Sequence, residues 1–192
     1  MKIVHLSSKD ASGGAARAAY RLHRGLRSVG GDSSMFVRSK STQDENVEIW
    51  SRDLSFLEKL RARVESRWLS HRFRRYQSTR PEGLEIFSQA QTVYGRQVAG
   101  SIPNADLYNV HWIRGFVDPL PFFRAVIRPV VWTLHDMNPF TGGCHVNAGC
   151  RRFEEACGKC PQLGSESESD LSRTVWNRKR TAYQSAIKEI GR

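Results

Sequence analysis

The chain has 192 residues, of which 39% are apolar and 26% are charged, and it carries a formal charge of +11. This length and composition fit one globular α/β-sized domain or a piece of a larger enzyme. They exclude a disordered tail, and no run of about 18 apolar residues is present that could span a bilayer. No secretory signal is visible, so we expect a protein of the reducing cytoplasm.

The N-terminal part of the chain predicts the opening of a parallel α/β fold. Lys2–Leu6 is typical of a short buried strand, and Ser7–Gly14 of a loop. Ala15–Val29 has helical composition and ends at Gly30, because glycine tolerates the left-handed conformation that terminates helices. Met35–Val37 predicts a second strand. The order strand, loop, helix, strand indicates a βαβ unit.

Leu54–Tyr76 predicts a basic amphipathic helix within an insertion at residues 52–80. These residues include nine Lys or Arg and three Asp or Glu, so they carry +6 of the net charge of +11. An apolar stripe flanked by cations suits a helix in a membrane interface, here the acidic inner membrane. Packing on its own domain and contact with nucleic acid are the alternatives. The stripe consists of Leu57, Leu60, Val64 and Trp68, and it continues with a one-residue shift in Leu69, Phe73 and Tyr76.

The second half of the chain completes the predicted fold. Ala105–Trp112 and Val130–His135 predict two more buried strands, with a short helix at Pro119–Ile127 between them. Leu171–Ile190 predicts a long helix. We therefore expect an α/β domain over residues 1–192, with a Rossmann-like parallel sheet, flanking helices and a cysteine-rich loop at 137–165.

Gly13 and Gly14 form a candidate phosphate-binding turn before the first helix. Backbone N–H groups at a helix N-terminus attract anions, and glycine lets a ligand approach the backbone closely. Arg17, in the first turn of the helix, can add positive charge. The spacing matches neither the dinucleotide fingerprint nor the phosphate-binding loop with Gly-Lys-Ser/Thr, so a purely steric role for the glycines stays open.

His135 and Asp136 are a polar pair at the end of the last predicted strand and are candidate catalytic residues. Ligands of open parallel sheets bind beyond the carboxyl ends of the strands, so we expect His135 at the same edge as Gly13 and Gly14. A histidine there can donate a hydrogen bond to a hydroxyl or a phosphate, or transfer a proton. A structural role is the alternative, both for His135 and for His111, which ends the neighbouring strand.

The cysteines form a candidate structural zinc site. All four lie within 17 residues, and the last two are separated by Gly158 and Lys159, a spacing that can present two thiolates to one tetrahedral zinc. His145 is an alternative ligand. Two disulfides or a thiol redox pair remain open, whereas a catalytic zinc is not expected because four thiolates leave no open position. The predicted ligands are Cys144, Cys150, Cys157 and Cys160.

The charge around the cysteines argues against a nucleic-acid partner. Residues 144–170 include three Lys or Arg and five Asp or Glu, a net charge of −2. A zinc module that binds nucleic acid should be basic where it contacts phosphate. We therefore expect no nucleic-acid partner. A non-enzymatic, basic, zinc-containing nucleic-acid-binding module is the alternative function.

Two parts of the chain together resemble bacterial family-four glycosyltransferases of the GT-B fold, in particular the subgroup of colanic-acid and exopolysaccharide enzymes. The more specific part is a four-cysteine loop that directly follows a Thr-x-His-Asp strand. The segments that carry the resemblance are Met1–Leu6, Ser12–His23, Val131–Met137, Pro139–Cys144, Gly149–Cys150 and Cys157–Leu163.

The resemblance implies that this chain is the N-terminal, acceptor-side domain of a retaining glycosyltransferase. A nucleotide-sugar-binding domain would then follow Arg192. Gly13 and Gly14 would face the donor diphosphate, His135 would lie beside the transferred sugar, and Asp136 would orient the loop or hold His135. The implied partners are a nucleotide-sugar donor and a lipid-linked glycan acceptor, and no metal is implied at the chemical step.

Overall fold

A computed structural model describes residues 1–190, which form two compact units. Unit 1 comprises Met1–Arg52 and Tyr94–His135. Unit 2 comprises Asp53–Val93 and the chain from Asp136 onward. The predicted insertion at 52–80 lies almost wholly in unit 2, together with the cysteine-rich loop at 137–165. Five helices are described: α1 Gly14–Ser28, α2 Phe56–Arg74, α3 Gly95–Ala99, α4 Pro119–Ala125 and α5 Leu171–Ile190.

Unit 1 is built on a five-stranded, fully parallel sheet. Its strands lie in the order β3-β2-β1-β4-β5, so the chain turns back to the other side of β1 when it enters β4. This order is that of a Rossmann-like sheet, and the predicted α/β fold class is confirmed at this level. The strands are β1 Lys2–Lys9, β2 Asp32–Ser39, β3 Val47–Ile49, β4 Leu107–Val110 and β5 Val130–Trp132.

The core of unit 1 covers both faces of the central strands. β1 is buried continuously from Val4 to Ser8, as expected for a parallel strand with helices on both sides. On one face, Ala19 of α1 packs with Met35 and Val37 of β2. Phe122 of α4 meets Tyr108 of β4 edge to face, with 6.2 Å between the ring centroids.

The outermost strand β5 differs from its prediction. Only three residues pair, and they pair with β4 alone. Val131 and Leu134 are about half exposed (49% and 56%), so the prediction of a buried strand through His135 is wrong. An apolar run at the edge of a sheet has the same composition as a central strand, and composition does not distinguish the two.

Unit 2 has a core of its own between α2, α5 and the loops. Phe73 of α2 stacks on Phe87, with 5.9 Å between the ring centroids, and Leu163, Leu171 and Val175 complete the cluster. The helix α5 begins directly after Asp170, whose carboxylate accepts hydrogen bonds from the backbone N–H groups of Arg173 (3.1 Å) and Cys160 (2.9 Å). The same side chain therefore caps α5 and ties the cysteine loop to it.

Candidate functional site

The carboxyl ends of β1 and β4 are joined by hydrogen bonds at one edge of the sheet in unit 1. The backbone N–H of Ser8 donates to the carbonyl of Trp112 (2.8 Å), and the Ser8 hydroxyl donates to the carbonyl of Arg114 (2.8 Å). The chain reverses its direction across the sheet between these two strands, which is the point where open α/β sheets bind ligands.

The Gly13–Gly14 turn lies between β1 and α1, as predicted. Gly13 has φ 100°, a conformation that favours glycine, and it precedes the first helical residue without any side-chain cap on the helix. A Cβ at either glycine would meet no atom within 4 Å, so the backbone is open to a ligand on this side. The Arg17 side chain is exposed in the first turn of the helix, where its backbone N–H donates to the Gly13 carbonyl (3.0 Å).

Asp10 anchors this turn, and the sequence reasoning missed it. Its carboxylate is fully buried and accepts hydrogen bonds from the backbone N–H of Ala11 and from the backbone N–H and hydroxyl of both Ser41 and Thr42, at 2.7–3.0 Å. Burial alone would raise the pKa of Asp10, but the hydrogen bonds from Thr42 and Ser41 outweigh it and hold the pKa well below its usual range. Asp10 therefore fixes the β1–α1 loop against the loop that follows β2.

His135 belongs to a line of histidines in unit 1. Its Nε2 lies 3.0 Å from Nδ1 of His111, and Nε2 of His111 lies 3.0 Å from Nδ1 of His5. His5 and His111 are buried, whereas His135 is half-buried. The sequence singled out His135 and His111 but not His5, which lies inside a strand that the sequence described only as buried.

Asp136, the next residue in the chain, makes its closest contacts inside unit 2. Its carboxylate accepts a hydrogen bond from the backbone N–H of Asn138 (2.8 Å) and lies 2.6 Å from Nδ1 of His145. Nε2 of His145 lies 2.7 Å from the hydroxyl of Ser88. Ser88 and His145 are both buried, so this Ser–His–Asp chain ties the cysteine loop to residues 87–91 and exposes no nucleophile.

The four cysteines line one small cavity of about 20 Å³ in unit 2. None of them forms a disulfide. Burial raises the pKa of Cys157 to about 12 and that of Cys160 to about 11. The backbone N–H of Gly142 donates to Sγ of Cys157 (3.1 Å), and a Cβ on Gly142 would fall 2.8 Å from the same sulfur. Residue 142 must therefore be glycine for the loop to approach the thiol.

Lys179 of α5 is a buried cation beneath the cysteine loop. Its ammonium donates to the carbonyls of Asn138 and Thr141, the latter at 3.1 Å. Burial lowers the pKa of Lys179 to about 7, against the attraction of Cys144 and Cys157. The sequence gave no sign of this role, because Lys179 lies among other basic residues of α5.

No group of three or more His, Cys, Asp or Glu side chains is arranged as metal ligands in residues 1–190. An open concavity of about 610 Å³ lies along α1 and the loop before β3, but none of the predicted site residues lines it. The predicted residues are thus divided between the units: the glycine turn, Arg17 and His135 are in unit 1, and Asp136 and the cysteines are in unit 2.

The predicted apolar stripe of α2 divides between two faces. Its first four residues are 47–65% exposed, whereas Leu69 is buried and Phe73 and Tyr76 pack against the core of unit 2. The first part of the stripe therefore faces outward, and its continuation packs on the protein's own core. The guanidinium of Arg72 lies over the ring of Trp68, 4.6 Å from its centroid. None of the described helices is both long enough and apolar enough to cross a membrane.

Comparisons with protein-family models, with curated proteins and with solved structures returned no match. The fold and the side-chain geometry defined above therefore stand as the basis for the function proposed below.

Proposed function

We propose that this chain is the acceptor-side domain of a retaining GT-B glycosyltransferase. The enzyme would move a sugar from a nucleotide-sugar donor to a lipid-linked glycan acceptor in surface polysaccharide synthesis. The observation that carries the proposal is the carboxyl edge of the sheet in unit 1. The strands β1, β4 and β5 are parallel and end on the same side of the sheet. The open glycine turn at the N-terminus of α1 lies beyond β1. The line of histidines ends in the half-buried imidazole of His135, beyond β5.

Each predicted residue has a role in this proposal that fits its surroundings. The backbone N–H groups of Gly13 and Gly14 would donate hydrogen bonds to the donor diphosphate, and Arg17 would add positive charge nearby. His135 would donate a hydrogen bond to the transferred sugar. Asp136 would orient the cysteine loop through His145, because its carboxylate lies 2.6 Å from that ring.

Sugar transfer by the full-length protein, including any chain that follows Arg192, tests the proposal. The measurement is incorporation of labelled sugar from a panel of nucleotide-sugars into polyprenyl-diphosphate-linked acceptor. His135→Ala should reduce transfer by roughly 100-fold or more, the range of a lost polar catalytic group. Arg124→Ala, at an exposed position of α4, is the control and should leave transfer unchanged. Full transfer by His135→Ala would reject the assigned role.

We also propose that the four cysteines hold one structural zinc. The four cysteines line one cavity, and the backbone N–H of Gly142 donates to Cys157. A zinc ion with four thiolates has a net charge of −2, so it needs hydrogen-bond donors or positive groups nearby. Lys179, buried beneath the loop, is such a group. Zinc would draw the sulfurs to roughly 2.3 Å from the metal. His145 is a less suitable ligand than the thiols, because its ring nitrogens face Asp136 and Ser88.

Metal analysis of protein purified under reducing conditions tests this site. We expect about one zinc per chain, as for a single tetrahedral centre. Cys150→Ser should lose the metal, whereas His145→Gln should keep it. A protein without zinc would reject the site. If His145→Gln lost the metal and Cys150→Ser kept it, the imidazole of His145 would be a zinc ligand in place of the Cys150 thiolate.

We further propose that the outer face of α2 contacts an acidic membrane surface. The outward stripe includes Leu60 and Val64, and Arg63 and Arg67 border it on one side, so apolar and cationic groups reach the same surface. Such a face inserts its apolar residues at the headgroup boundary while the arginines attract anionic lipids. This arrangement would bring the enzyme to a lipid-linked acceptor.

Flotation with vesicles of phosphatidylcholine and phosphatidylglycerol tests this contact. Arg63→Glu combined with Arg67→Glu should abolish co-flotation with acidic vesicles, and Leu60→Ser should weaken it. Arg21→Glu, on the exposed side of α1, is the charge control. If the double variant floats like the unchanged protein, α2 is not the membrane contact.

A further inference from the structure

The open concavity of about 610 Å³ in unit 1 lies beside the C-terminal half of α1, away from the glycine turn. Small-molecule sites in proteins have volumes of roughly 300–1,000 Å³. Arg24 and Arg27 of α1 line the concavity. At 1.5 Å per residue they lie about 17 and 21 Å beyond Gly13 along the helix. The concavity and the proposed diphosphate site are therefore at opposite ends of α1.

Two guanidinium groups face this concavity in restrained positions. Arg24 and Arg27 are one helical turn apart, so they lie on the same side of α1. Nη1 of Arg27 donates to the carbonyl of Ser33 (3.3 Å), and Cζ of Arg24 lies 6.0 Å from the centroid of the Tyr20 ring. Both arginines nevertheless stay exposed. The helix contains no Asp or Glu, so no carboxylate of α1 itself neutralises them.

The carboxylate of Asp44 also lines the concavity, but its oxygens accept hydrogen bonds from the protein. Oδ1 accepts from the backbone N–H (2.9 Å) and the side-chain amide (3.1 Å) of Asn46. Oδ2 accepts from the Tyr20 hydroxyl (3.2 Å) and lies 3.5 Å from Nε2 of the buried His23. Burial alone would raise the pKa of Asp44, but the hydrogen bonds from Asn46 outweigh it and lower the pKa. One internally bonded carboxylate thus faces two cations.

The electrostatic effect of both arginines reaches the residue beneath the concavity. Burial lowers the pKa of His23, and Asp44 opposes this effect. Arg27 and Arg24 lower the pKa further. The C-terminus of a helix contributes only about half a negative charge, so it offsets two full positive charges in part. The concavity is therefore a positively charged site that is rich in N–H donors.

The loop that forms the other wall is fixed at both ends. At its start, Ser41 and Thr42 donate hydrogen bonds to the buried carboxylate of Asp10 at 2.7–3.0 Å. At its end, the carbonyl of Asn46 accepts from the backbone N–H of Met35 in β2 (2.9 Å). Gln43, between these anchors, lines the concavity. A preformed wall lowers the cost of ordering the site when a ligand binds.

We propose that this concavity binds the phosphate monoester of a small hydroxylated molecule, such as a sugar phosphate. A phosphate monoester carries a charge of about −1.5 to −2 at neutral pH and has three acceptor oxygens, which suits two planar guanidinium groups. The rest of the lining is polar apart from the ring of Tyr20, so it suits hydroxyl groups better than an apolar body. The other polar lining residues are Ser28, Gln43 and Asn46. This site goes beyond the proposed sugar transfer and does not depend on it.

NMR titration of ¹⁵N-labelled protein tests the proposal. The probes are glucose 6-phosphate, ribose 5-phosphate, inorganic phosphate and glucose. We expect a saturable shift of the Nε–H resonances of Arg24 and Arg27 and of the Gln43 backbone amide with at least one sugar phosphate. Inorganic phosphate should bind more weakly, and glucose should not bind. No saturable shift with either sugar phosphate, or equal affinity for inorganic phosphate or glucose, overturns the proposal.

Substitutions along α1 then locate the bound phosphate. Arg24→Gln should weaken binding of the sugar phosphate by about 10-fold or more, the effect of losing a hydrogen bond to a charged group. Arg21→Gln removes the same charge from an exposed position outside the concavity and should change the affinity by less than about 2-fold, because salt screens distant charges. Equal losses in the two variants would reduce the effect to the general charge of α1 and overturn the site.

A third variant separates this site from the glycine turn. Gly13→Ala should leave the affinity for the sugar phosphate unchanged, because the turn lies at the other end of α1. Loss of binding in Gly13→Ala, with the largest shifts at residues 13–17, would place the phosphate at the turn and overturn the proposal. Binding that depends on Arg24 in a protein without sugar transfer would retain this site and reject the proposed function.

Discussion

Replacement of Asp10 by asparagine should strongly destabilise unit 1. The carboxylate accepts hydrogen bonds from five donor groups, three of which are the backbone N–H groups of Ala11, Ser41 and Thr42. In Asp10→Asn one of the two oxygens becomes an NH₂ group, which cannot accept, so a backbone N–H faces another donor in either orientation. Hydrogen bonds to a charged group contribute about 1.5–3 kcal/mol each, and an orphaned buried donor costs about 1–3 kcal/mol. We therefore expect a loss of roughly 3–5 kcal/mol.

The free energy of unfolding can be measured by urea denaturation monitored by tryptophan fluorescence. Hydrogen exchange of the Thr42 amide measures the local loss of stability. Asp32→Asn, an exposed residue at the start of β2, is the control and should stay within about 0.5 kcal/mol of the unchanged protein. Because the pKa of Asp10 is lowered in the folded state, its contribution is complete above the unfolded value of 3.8 and is lost as the pH falls below it. The difference between Asp10→Asn and the unchanged protein should therefore shrink in acid. A loss under about 1 kcal/mol at pH 7, or one that does not change in acid, would refute the role of Asp10.

Three further changes test other parts of the structure. Gly13→Ala forces a side chain into φ 100° at a cost of roughly 1–3 kcal/mol and should weaken pyrophosphate binding measured by calorimetry. Gly25→Ala, in the last turn of α1, should not weaken it. Gly143→Ala would place its Cβ 2.5 Å from the ring of Phe87, so thermal unfolding of unit 2 should begin at a lower temperature. Lys179→Met removes the buried amino group beneath the thiols. It should lower the affinity for zinc about 10–100-fold, measured by competition with a chelator. An unchanged affinity would show that Lys179 does not support the metal.

The elements that the sequence predicted well are those with a local signal. The bounds of α5 agree with the prediction at both ends, and α1 begins one residue before its predicted start because Gly13 sets the turn. The failures come from pairings between distant parts of the chain. The short strand β3 has no apolar run of its own and forms by pairing with β2, and the exposure of Val131 follows from the position of β5 at the edge.

The candidate site shows the same division. Gly13 and Gly14 could be found because they end the loop between a predicted strand and a predicted helix, and His135 because it ends a predicted strand, where parallel sheets place their ligands. The role of Asp10 and the contact of His145 with Ser88 could not, since the partners lie 31 and 57 residues away in the sequence. Lys179, buried against residues 138–141, has no sequence signal that separates it from exposed lysines.

The histidine line shows why the topology of the sheet matters for its chemistry. His5 and His111 are 106 residues apart in the sequence, and they meet because the chain places β4 beside β1 rather than beside β3. The step from His111 to His135 follows in turn from the pairing of β4 with β5. A sheet with the same strands in sequence order would keep β4 beside β5 but would separate His5 from His111. The strand order that defines a Rossmann-like sheet is therefore also the condition for bringing the three rings into one line.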